Sequence, residues 1–204
     1  ANKPEVKRTI VVYAGRFQPF HPGHYAVYKH LVSKFGKNNV YIGSSDDTSG
    51  EKSPLRFKEK KAIATQIFDV PTNKFVKVTN PYRPVEILDK YDGKTTQYIT
   101  ALGEKDADRL SGKYFKPYKG KPGYGYDEIG YTYTVPPQAG GISATEVRKG
   151  ISHKNVRVAR EFFKKVYPKF DETIFQLVRN KILKLKENFP GGVGVGLTLP
   201  GGYI

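Results

Sequence analysis

Residues 15–24 have the sequence Gly15-Arg16-Phe17-Gln18-Pro19-Phe20-His21-Pro22-Gly23-His24. The preceding residues 9–14 are strongly β-forming, and in residues 25–35 the apolar side chains recur at helical spacing. The segment is therefore predicted to be the first strand-to-helix turn of an α/β unit. Such turns lie at the carboxyl edge of a parallel sheet, where the free N–H groups of a helix N-terminus attract phosphate. Gly23 has no Cβ, so the backbone can approach a phosphate chain that both imidazoles face.

A second motif lies far downstream, at Ile142-Ser143-Ala144-Thr145-Glu146-Val147-Arg148. Together with residues 21–24 it resembles the paired signatures of the nucleotidylyltransferase superfamily, His-x-Gly-His and Ile-Ser-x-Thr-x-x-Arg. The lead-in at residues 15–20 is most similar to nicotinamide-mononucleotide adenylyltransferases of the archaeal type. The two motifs stand in the expected order and are separated by the length of a full domain, so the pair is more specific than either motif alone.

The rest of the sequence predicts an α/β fold that agrees with this resemblance. Ser53 and Pro54 are typical of a helix start, as the cap and the first helical residue. The predicted strands are at 39–43, 75–78, 95–103 and 131–135, and the predicted helices at 81–91 and, with a break near Pro168, at 156–188. The expected architecture is a Rossmann-like open parallel sheet with helices on both faces, C-terminal helices and a flexible tail.

The resemblance implies a role for each matching residue. His21 is expected to contact the α-phosphate of a nucleoside triphosphate, and His24 the bridging and leaving-group oxygens. Arg16 and Arg148 are expected to hold the β- and γ-phosphates, because a guanidinium fork can bind two phosphate oxygens at once. Beside the catalytic His21, His24 and Arg148, the predicted nucleotide-binding residues are Gly15, Arg16, Phe17, Gln18, Gly23, Gly103, Asp106, Ile142, Ser143 and Thr145.

Two of these assignments have structural interpretations beside the functional one. Ser143 is also predicted to cap a helix, with Glu146 completing a capping box. In the resembling family a glycine and an acid after a buried strand hold the adenosine ribose. Gly103 matches the glycine, and we choose Asp106 among the three acids at 104, 106 and 108. An acid here can equally be a helix N-terminal charge that interacts with the helix dipole.

The implied reaction is the in-line attack of an acceptor phosphate on the α-phosphorus of ATP, with release of pyrophosphate. The leading hypothesis is adenylyl transfer to nicotinamide mononucleotide, giving NAD. Mg²⁺ is expected to arrive with the triphosphate, and no protein metal site is predicted. Transfer from CTP, or transfer to pantetheine phosphate, remains an alternative. The Phe-Gln-Pro lead-in favours the first hypothesis, because cytidylyltransferases more often carry Gly-Thr-Phe-Asp at that place.

The composition restricts the class of protein. The chain has no cysteine, which excludes disulfides, thiolate metal sites and thiol redox chemistry. Its 204 residues suffice for one α/β domain, which we place at 1–188. No apolar run approaches the roughly 20 residues needed to cross a bilayer, so no membrane partner and a cytoplasmic location are expected.

The formal net charge of +16 implies an acidic partner, and a nucleotide substrate would use only a few of these charges. Weak nucleic-acid association is one interpretation, and a solvated lysine-rich surface is the other, since Lys lies throughout the chain. Residues 111–131 interleave Lys and Tyr with Gly and Pro. This loop could cover the second substrate, follow single-stranded nucleic acid, or pack its tyrosines on the domain.

Residues 189–204 form a glycine-rich apolar tail without a charged side chain. We interpret it either as an arm that docks on a partner or a second copy of the chain, or as a disordered tail. The tail, the charge and the Tyr/Lys loop together support a rival hypothesis, in which a virion-associated structural protein retains the nucleotidylyltransferase fold.

Overall fold

The computed structural model of the chain describes residues 3–110, 112–139 and 141–188. The strands are β1 (Arg8–Ala14), β2 (Val40–Ser44), β3 (Phe75–Lys77), β4 (Thr96–Leu102), β5 (Phe115–Pro117) and β6 (Gly130–Thr134). The α-helices are α1 (Pro22–Phe35), α2 (Phe57–Ala62), α3 (Val85–Leu88), α4 (Ala144–Ile151), α5 (Val156–Val166) and α6 (Glu172–Asn188). A π-helical segment, Ile63–Ile67, continues α2.

The chain divides into two compact units. Unit one holds the described residues of the ranges 1–15, 26–44 and 76–139, and unit two those of the ranges 16–25, 45–75 and 140–204. The expectation of one domain over residues 1–188 stays a prediction, and the tail at 189–204 lies outside the described residues.

The strands form one six-stranded sheet with the order β3-β2-β1-β4-β6-β5. The pairs β1–β2, β1–β4, β4–β6 and β5–β6 are parallel, and Val12 aligns with Tyr41 on one side and Thr100 on the other. This topology confirms the predicted α/β class with a Rossmann-like open parallel sheet. Because the strand order reverses between β1 and β4, their carboxyl ends flank the crevice where such sheets bind ligands.

The core of unit one follows from the alternation of side chains along the central strands. Ile10 and Val12 of β1 point to the same face and pack with side chains from β2, β4 and α3. The buried members of this cluster are Ile10, Val12, Tyr41, Val78, Ile87, Leu88 and Tyr98. Burying an aliphatic side chain of this size contributes roughly 1.5–3 kcal/mol to the free energy of unfolding.

Unit two is organised around the C-terminal helices. Phe163 of α5 stacks on Tyr167 at 4.4 Å between ring centroids and meets Phe175 of α6 edge-on at 5.7 Å. The buried Arg179 of α6 donates hydrogen bonds of 2.8 Å to the carbonyls of Ile151 and His153, which satisfies the end of α4. These contacts fix the helix that carries the second motif.

Two helix predictions were wrong at their boundaries. The helix predicted to start at Ser53 and Pro54 begins at Phe57, because the N–H and carbonyl of Leu55 are engaged by the Gln18 side chain. The Phe57 N–H is instead capped by the Asp46 carboxylate, at 2.8 Å.

The helix predicted over 81–91 forms only as the four residues of α3. Pro84 precedes it and has no N–H, and a residue before proline is disfavoured in helical geometry.

The Tyr/Lys segment 111–131 contains neither a helix nor a long strand in its described part, which confirms the prediction. Several tyrosine hydroxyls of this segment form hydrogen bonds with the main chain of unit one. The Tyr126 hydroxyl lies 2.8 and 2.7 Å from the carbonyl oxygens of Leu88 and Tyr91, which share its single proton, and the Tyr131 hydroxyl accepts the N–H of Tyr124 at 2.7 Å. Of the three interpretations of this loop, packing of its tyrosines on the domain is the one that these contacts favour.

Candidate active site

The turn between β1 and α1 is held by aromatic side chains of unit two. Phe20 is fully buried and meets Phe68 edge-on at 5.3 Å, and its carbonyl accepts a hydrogen bond of 2.7 Å from the Tyr167 hydroxyl. Phe17 is also buried and has a positive φ of 50°, a conformation that is uncommon outside glycine. Strained backbone of this kind clusters at functional sites.

The two imidazoles of the turn stack on each other. The ring centroids of His21 and His24 are 3.7 Å apart, and the rings are inclined by 24°. The Gly23 N–H donates to His21 Nδ1 at 3.0 Å, and the His21 N–H donates to His24 Nδ1 at 3.2 Å. Since both Nδ1 atoms accept, these hydrogen bonds assign the ring proton of each neutral imidazole to Nε2. The turn therefore presents two Nε2–H donors.

Burial keeps both imidazoles neutral near pH 7. It lowers the pKa of His21 to about 4, an effect that the nearby Glu146 carboxylate and a backbone hydrogen bond partly offset. Burial, and then the neighbouring His21, hold the pKa of His24 well below its usual value. Gly23 is required at its position, because a Cβ there would lie 2.8 Å from His21 Cε1.

The second motif forms the N-terminus of α4 as predicted. The Glu146 N–H donates to Ser143 Oγ at 3.1 Å, and the Ser143 N–H donates to Glu146 Oε1 at 3.2 Å. These bonds confirm the capping box. One turn later, Arg148 donates from Nη2 to Thr145 Oγ1 at 3.3 Å.

Arg148 also joins the second motif to the first. Its guanidinium is buried, and Nη1 donates to the main-chain carbonyl of Gln18 at 2.6 Å. The predicted residues Arg16, Phe17, Gln18, His21, Gly23, His24, Ile142, Ser143, Thr145 and Arg148 all belong to unit two. The structure thus brings the two signatures together at one place.

Gln18 uses its whole side-chain amide to hold residue 55. Its Nε2 donates to the Leu55 carbonyl at 2.9 Å, and its Oε1 accepts the Leu55 N–H at 2.8 Å. The side chain is buried, so it links the start of α2 to the turn that carries the imidazoles.

Lys60 of α2 is one of three helix cations, with Lys58 and Lys61, for which the sequence leaves open both contact with phosphates and a solvated helix face. It is completely buried, and burial lowers the pKa of its ammonium to about 8. Arg16 lowers this pKa further, whereas Asp46 and Asp47 raise it. A signal was present in the sequence. Lys60 shares the spacing i, i+3, i+4, i+7 with the buried Ile63, Ala64 and Ile67, which places it on the inner face.

The remaining predicted residues belong to unit one and follow the central strands. The Gly15 N–H donates to the Gly43 carbonyl at 3.1 Å, directly after β1. Gly103 follows β4, and its carbonyl accepts the Asp106 N–H at 3.0 Å. The Asp106 carboxylate pairs with Arg109 Nε at 3.2 Å on the surface. Both glycines thus stand at the carboxyl edge of the sheet.

Two classes of feature are absent from the described ranges. No group of three or more His, Asp or Glu side chains is placed to hold a metal ion within residues 3–110, 112–139 and 141–188. Over the same ranges, no helix has the length and apolar character required to span a membrane.

Paired imidazole donors beside a buried guanidinium suit the binding of a phosphate chain, and the class that this fold and site define is the nucleotidylyltransferases. The chain belongs to the cytidylyltransferase-like family, whose model matches residues 12–150. The resemblance inferred from the two motifs is thereby confirmed.

Individual relatives show how far the similarity extends. The nicotinamide-nucleotide adenylyltransferase of Sulfurisphaera tokodaii is 28% identical over 178 residues, which cover 83% of this chain and 97% of that protein. A bifunctional NMN adenylyltransferase/ADP ribose pyrophosphatase from Francisella tularensis matches with a TM-score of 0.60 at 15% identity, over 92% of this chain and 55% of that one. The chain thus spans about half of that bifunctional protein.

A further solved structure is the nicotinic acid mononucleotide adenylyltransferase of Plasmodium falciparum complexed with APC. It matches with a TM-score of 0.50 at 13% identity, over 87% of this chain and 95% of that one. At such low identity the two structural matches show the fold alone.

Proposed function

We propose that this protein catalyses ATP-dependent adenylyl transfer to nicotinamide mononucleotide, giving NAD and pyrophosphate. The observation that carries the proposal is the meeting of the two signatures, in which Arg148 contacts the turn that presents the His21 and His24 donors. The similarity to the Sulfurisphaera enzyme over nearly its whole length supports the choice of reaction.

The residues act on phosphate oxygens. The acceptor phosphate attacks the α-phosphorus in line, and negative charge grows on the equatorial and leaving oxygens. The Nε2–H groups of His21 and His24 donate to the α-phosphate and to the bridging oxygen. These donors are fixed before the substrate arrives, so no reorganisation is required during the reaction.

Cations complete the proposed site. Arg148 and Arg16 hold the β- and γ-phosphates, and the capped N-terminus of α4 adds free N–H groups. Lys60 and Arg16 influence each other electrostatically, and a bound phosphate relieves the repulsion between two neighbouring cations. Mg²⁺ enters with ATP as part of the substrate and neutralises the remaining charge.

The nucleoside is proposed to lie along the carboxyl edge of the sheet. There Gly103 leaves room for the base, and the carboxylate of Asp106 accepts hydrogen bonds from the ribose hydroxyls. Asp106 would have to exchange its surface pairing with Arg109 for these bonds. An ion pair this exposed contributes only about 0–1 kcal/mol, so the exchange costs little.

A turnover assay tests the proposal. Pyrophosphate release is measured with ATP or CTP against nicotinamide mononucleotide, nicotinate mononucleotide and pantetheine phosphate. We expect the highest kcat/KM with ATP and nicotinamide mononucleotide. A clear preference for CTP, or for pantetheine phosphate as the acceptor, would overturn the proposed substrates.

A further inference from the structure

A polar cavity lies in unit one at the beginning of β1. The turn with the imidazoles, in contrast, follows the end of that strand. The volume of the cavity is about 570 Å³. Three exposed cations line it, Lys7, Arg8 and Lys34, beside the rings of Phe35 and Tyr91. Among the described residues no carboxylate side chain lines this cavity. We call it the basic groove.

Two cations of the basic groove lie over aromatic rings. The Arg8 guanidinium carbon lies 5.1 Å from the centroid of Tyr91, and the Lys34 ammonium lies 5.4 Å from that of Tyr133. Each pair is within the range in which a cation is attracted to the face of a ring. Such contacts hold long basic side chains close to flat apolar surfaces.

Two more cation–ring pairs involve residues next to the lining of the basic groove. The Tyr91 hydroxyl contacts that of Tyr41, and the Lys90 ammonium lies 5.9 Å from the Tyr41 ring. At the other side, the lining residue Pro122 leads to Tyr124, which is 40% exposed and has the Lys3 ammonium 4.2 Å from its centroid. Tyr41 belongs to the buried core, so of these two rings Tyr124 is the exposed one.

Two acidic residues stand next to lining residues in the sequence, Glu5 before Val6 and Asp92 after Tyr91. Asp92 belongs to the turn after α3, and its carboxylate is engaged in accepting the N–H of Lys94 at 2.9 Å. Several cations around one groove suit a chain of phosphates better than one phosphate group, and an exposed ring such as that of Tyr124 suits an unpaired base.

We propose that the basic groove binds single-stranded nucleic acid, with phosphates on Lys7, Arg8 and Lys34 and bases stacked on the neighbouring rings. This partner accounts for part of the net charge of +16 that a nucleotide substrate leaves unused. The proposal does not depend on the adenylyl-transfer reaction.

The first test measures binding of the full chain to a fluorescein-labelled 12-mer of thymidylate by fluorescence anisotropy. The variant Arg8→Gln/Lys34→Gln removes two groove cations, and Lys154→Gln/Lys184→Gln removes two exposed cations of unit two as a matched control. We expect at least a tenfold rise in Kd for the groove variant and less than a twofold rise for the control. Each phosphate contact to a single strand contributes about 0.7 to the slope of log K against log salt, so losing two contacts should make the slope shallower by about 1.4.

The second test separates nucleic acid from other polyanions. Tyr124→Leu should weaken binding of the oligonucleotide about fivefold or more, because one stacking ring is lost. The same change should leave binding of inorganic polyphosphate unaltered. Equal losses in the groove and control variants, an unchanged Kd in the groove variant, or equal sensitivity of both ligands to Tyr124→Leu would each overturn the proposal. Adenylyl transfer, measured in parallel, should be unaffected in the groove variant.

Discussion

Arg148 Nη1 donates a hydrogen bond of 2.6 Å to the main-chain carbonyl of Gln18, 130 residues earlier in the sequence. The bond joins the two signature motifs, and the side chain of Gln18 extends the connection to Leu55. One buried network therefore sets the relative positions of the imidazoles, the guanidinium and the start of α2.

Arg148→Lys should lower kcat by about 100-fold or more, because an ammonium cannot both bind the Gln18 carbonyl and grip two phosphate oxygens. The measurement is steady-state release of pyrophosphate. Lys149→Met, which removes the adjacent exposed cation, serves as the control and should retain the parent rate. A lysine variant with near-normal kcat would remove Arg148 from the proposed mechanism.

His24→Ala should abolish measurable turnover while leaving the fold intact, because it removes one of the two Nε2–H donors. Turnover is compared with that of His153→Ala, which removes an exposed imidazole outside the site. Circular dichroism and thermal unfolding establish that both variants are folded. Normal pyrophosphate release by a folded His24→Ala protein would contradict the assignment.

Gln18→Leu should reduce the free energy of unfolding by about 2–4 kcal/mol, because it removes two hydrogen bonds and leaves the buried Leu55 N–H and carbonyl unpaired. Urea unfolding provides the measurement. Gln66→Leu, a change at an exposed position on the same stretch of chain, should cost less than 0.5 kcal/mol. Equal stabilities of the two variants would show that the link does not stabilise the fold.

Lys60→Met should change the free energy of unfolding little, because the unfavourable burial of the ammonium is partly offset by its attraction to Asp46, Asp47 and Glu59. The same change should raise the KM for ATP at least tenfold if the ammonium binds a phosphate of ATP. Lys58→Met alters an exposed cation of the same helix and should change neither quantity. A destabilised Lys60→Met with an unchanged KM would indicate a structural role instead.

The stability of the protein should fall as the pH decreases from about 6.5 towards 4, partly because of His21. Its pKa is lower in the folded protein than in the unfolded chain, so the unfolded chain binds more protons in this window. The contribution present above pH 6.5 is on the order of 3 kcal/mol and decreases through the window. The contribution of His21 is isolated by comparing the urea unfolding of the parent and of His21→Asn at several pH values. Parallel curves for the two proteins would rule the contribution out.

Helix starts could be predicted from the sequence where the residues that determine them are close together in the chain. The capping box of Ser143 and Glu146 was predictable because its partners are three residues apart and its rule is local. The start of α2 was predicted wrongly because its determinants are distant. Asp46 caps it from the loop after β2, and Gln18 holds Leu55 from 37 residues away.

In the candidate site, too, some features could be predicted from the sequence and others could not. The imidazoles and Arg148 were predicted as site residues because their motifs resemble those of a known superfamily, and their catalytic roles stay predictions. The burial of Lys60 was missed although its spacing with Ile63, Ala64 and Ile67 indicated an inner face. A lysine at such a position is normally solvated, so composition outweighed periodicity in the interpretation.

The engagement of both Nδ1 atoms with main-chain N–H groups limits the kind of acceptor that this protein can use. Neither ring retains a lone pair for removing a proton from an incoming nucleophile. An acceptor that is already ionised when it binds needs no base from these two rings. A phosphate monoester, whose second ionisation has a pKa of about 6, meets that condition at neutral pH, whereas an alcohol does not.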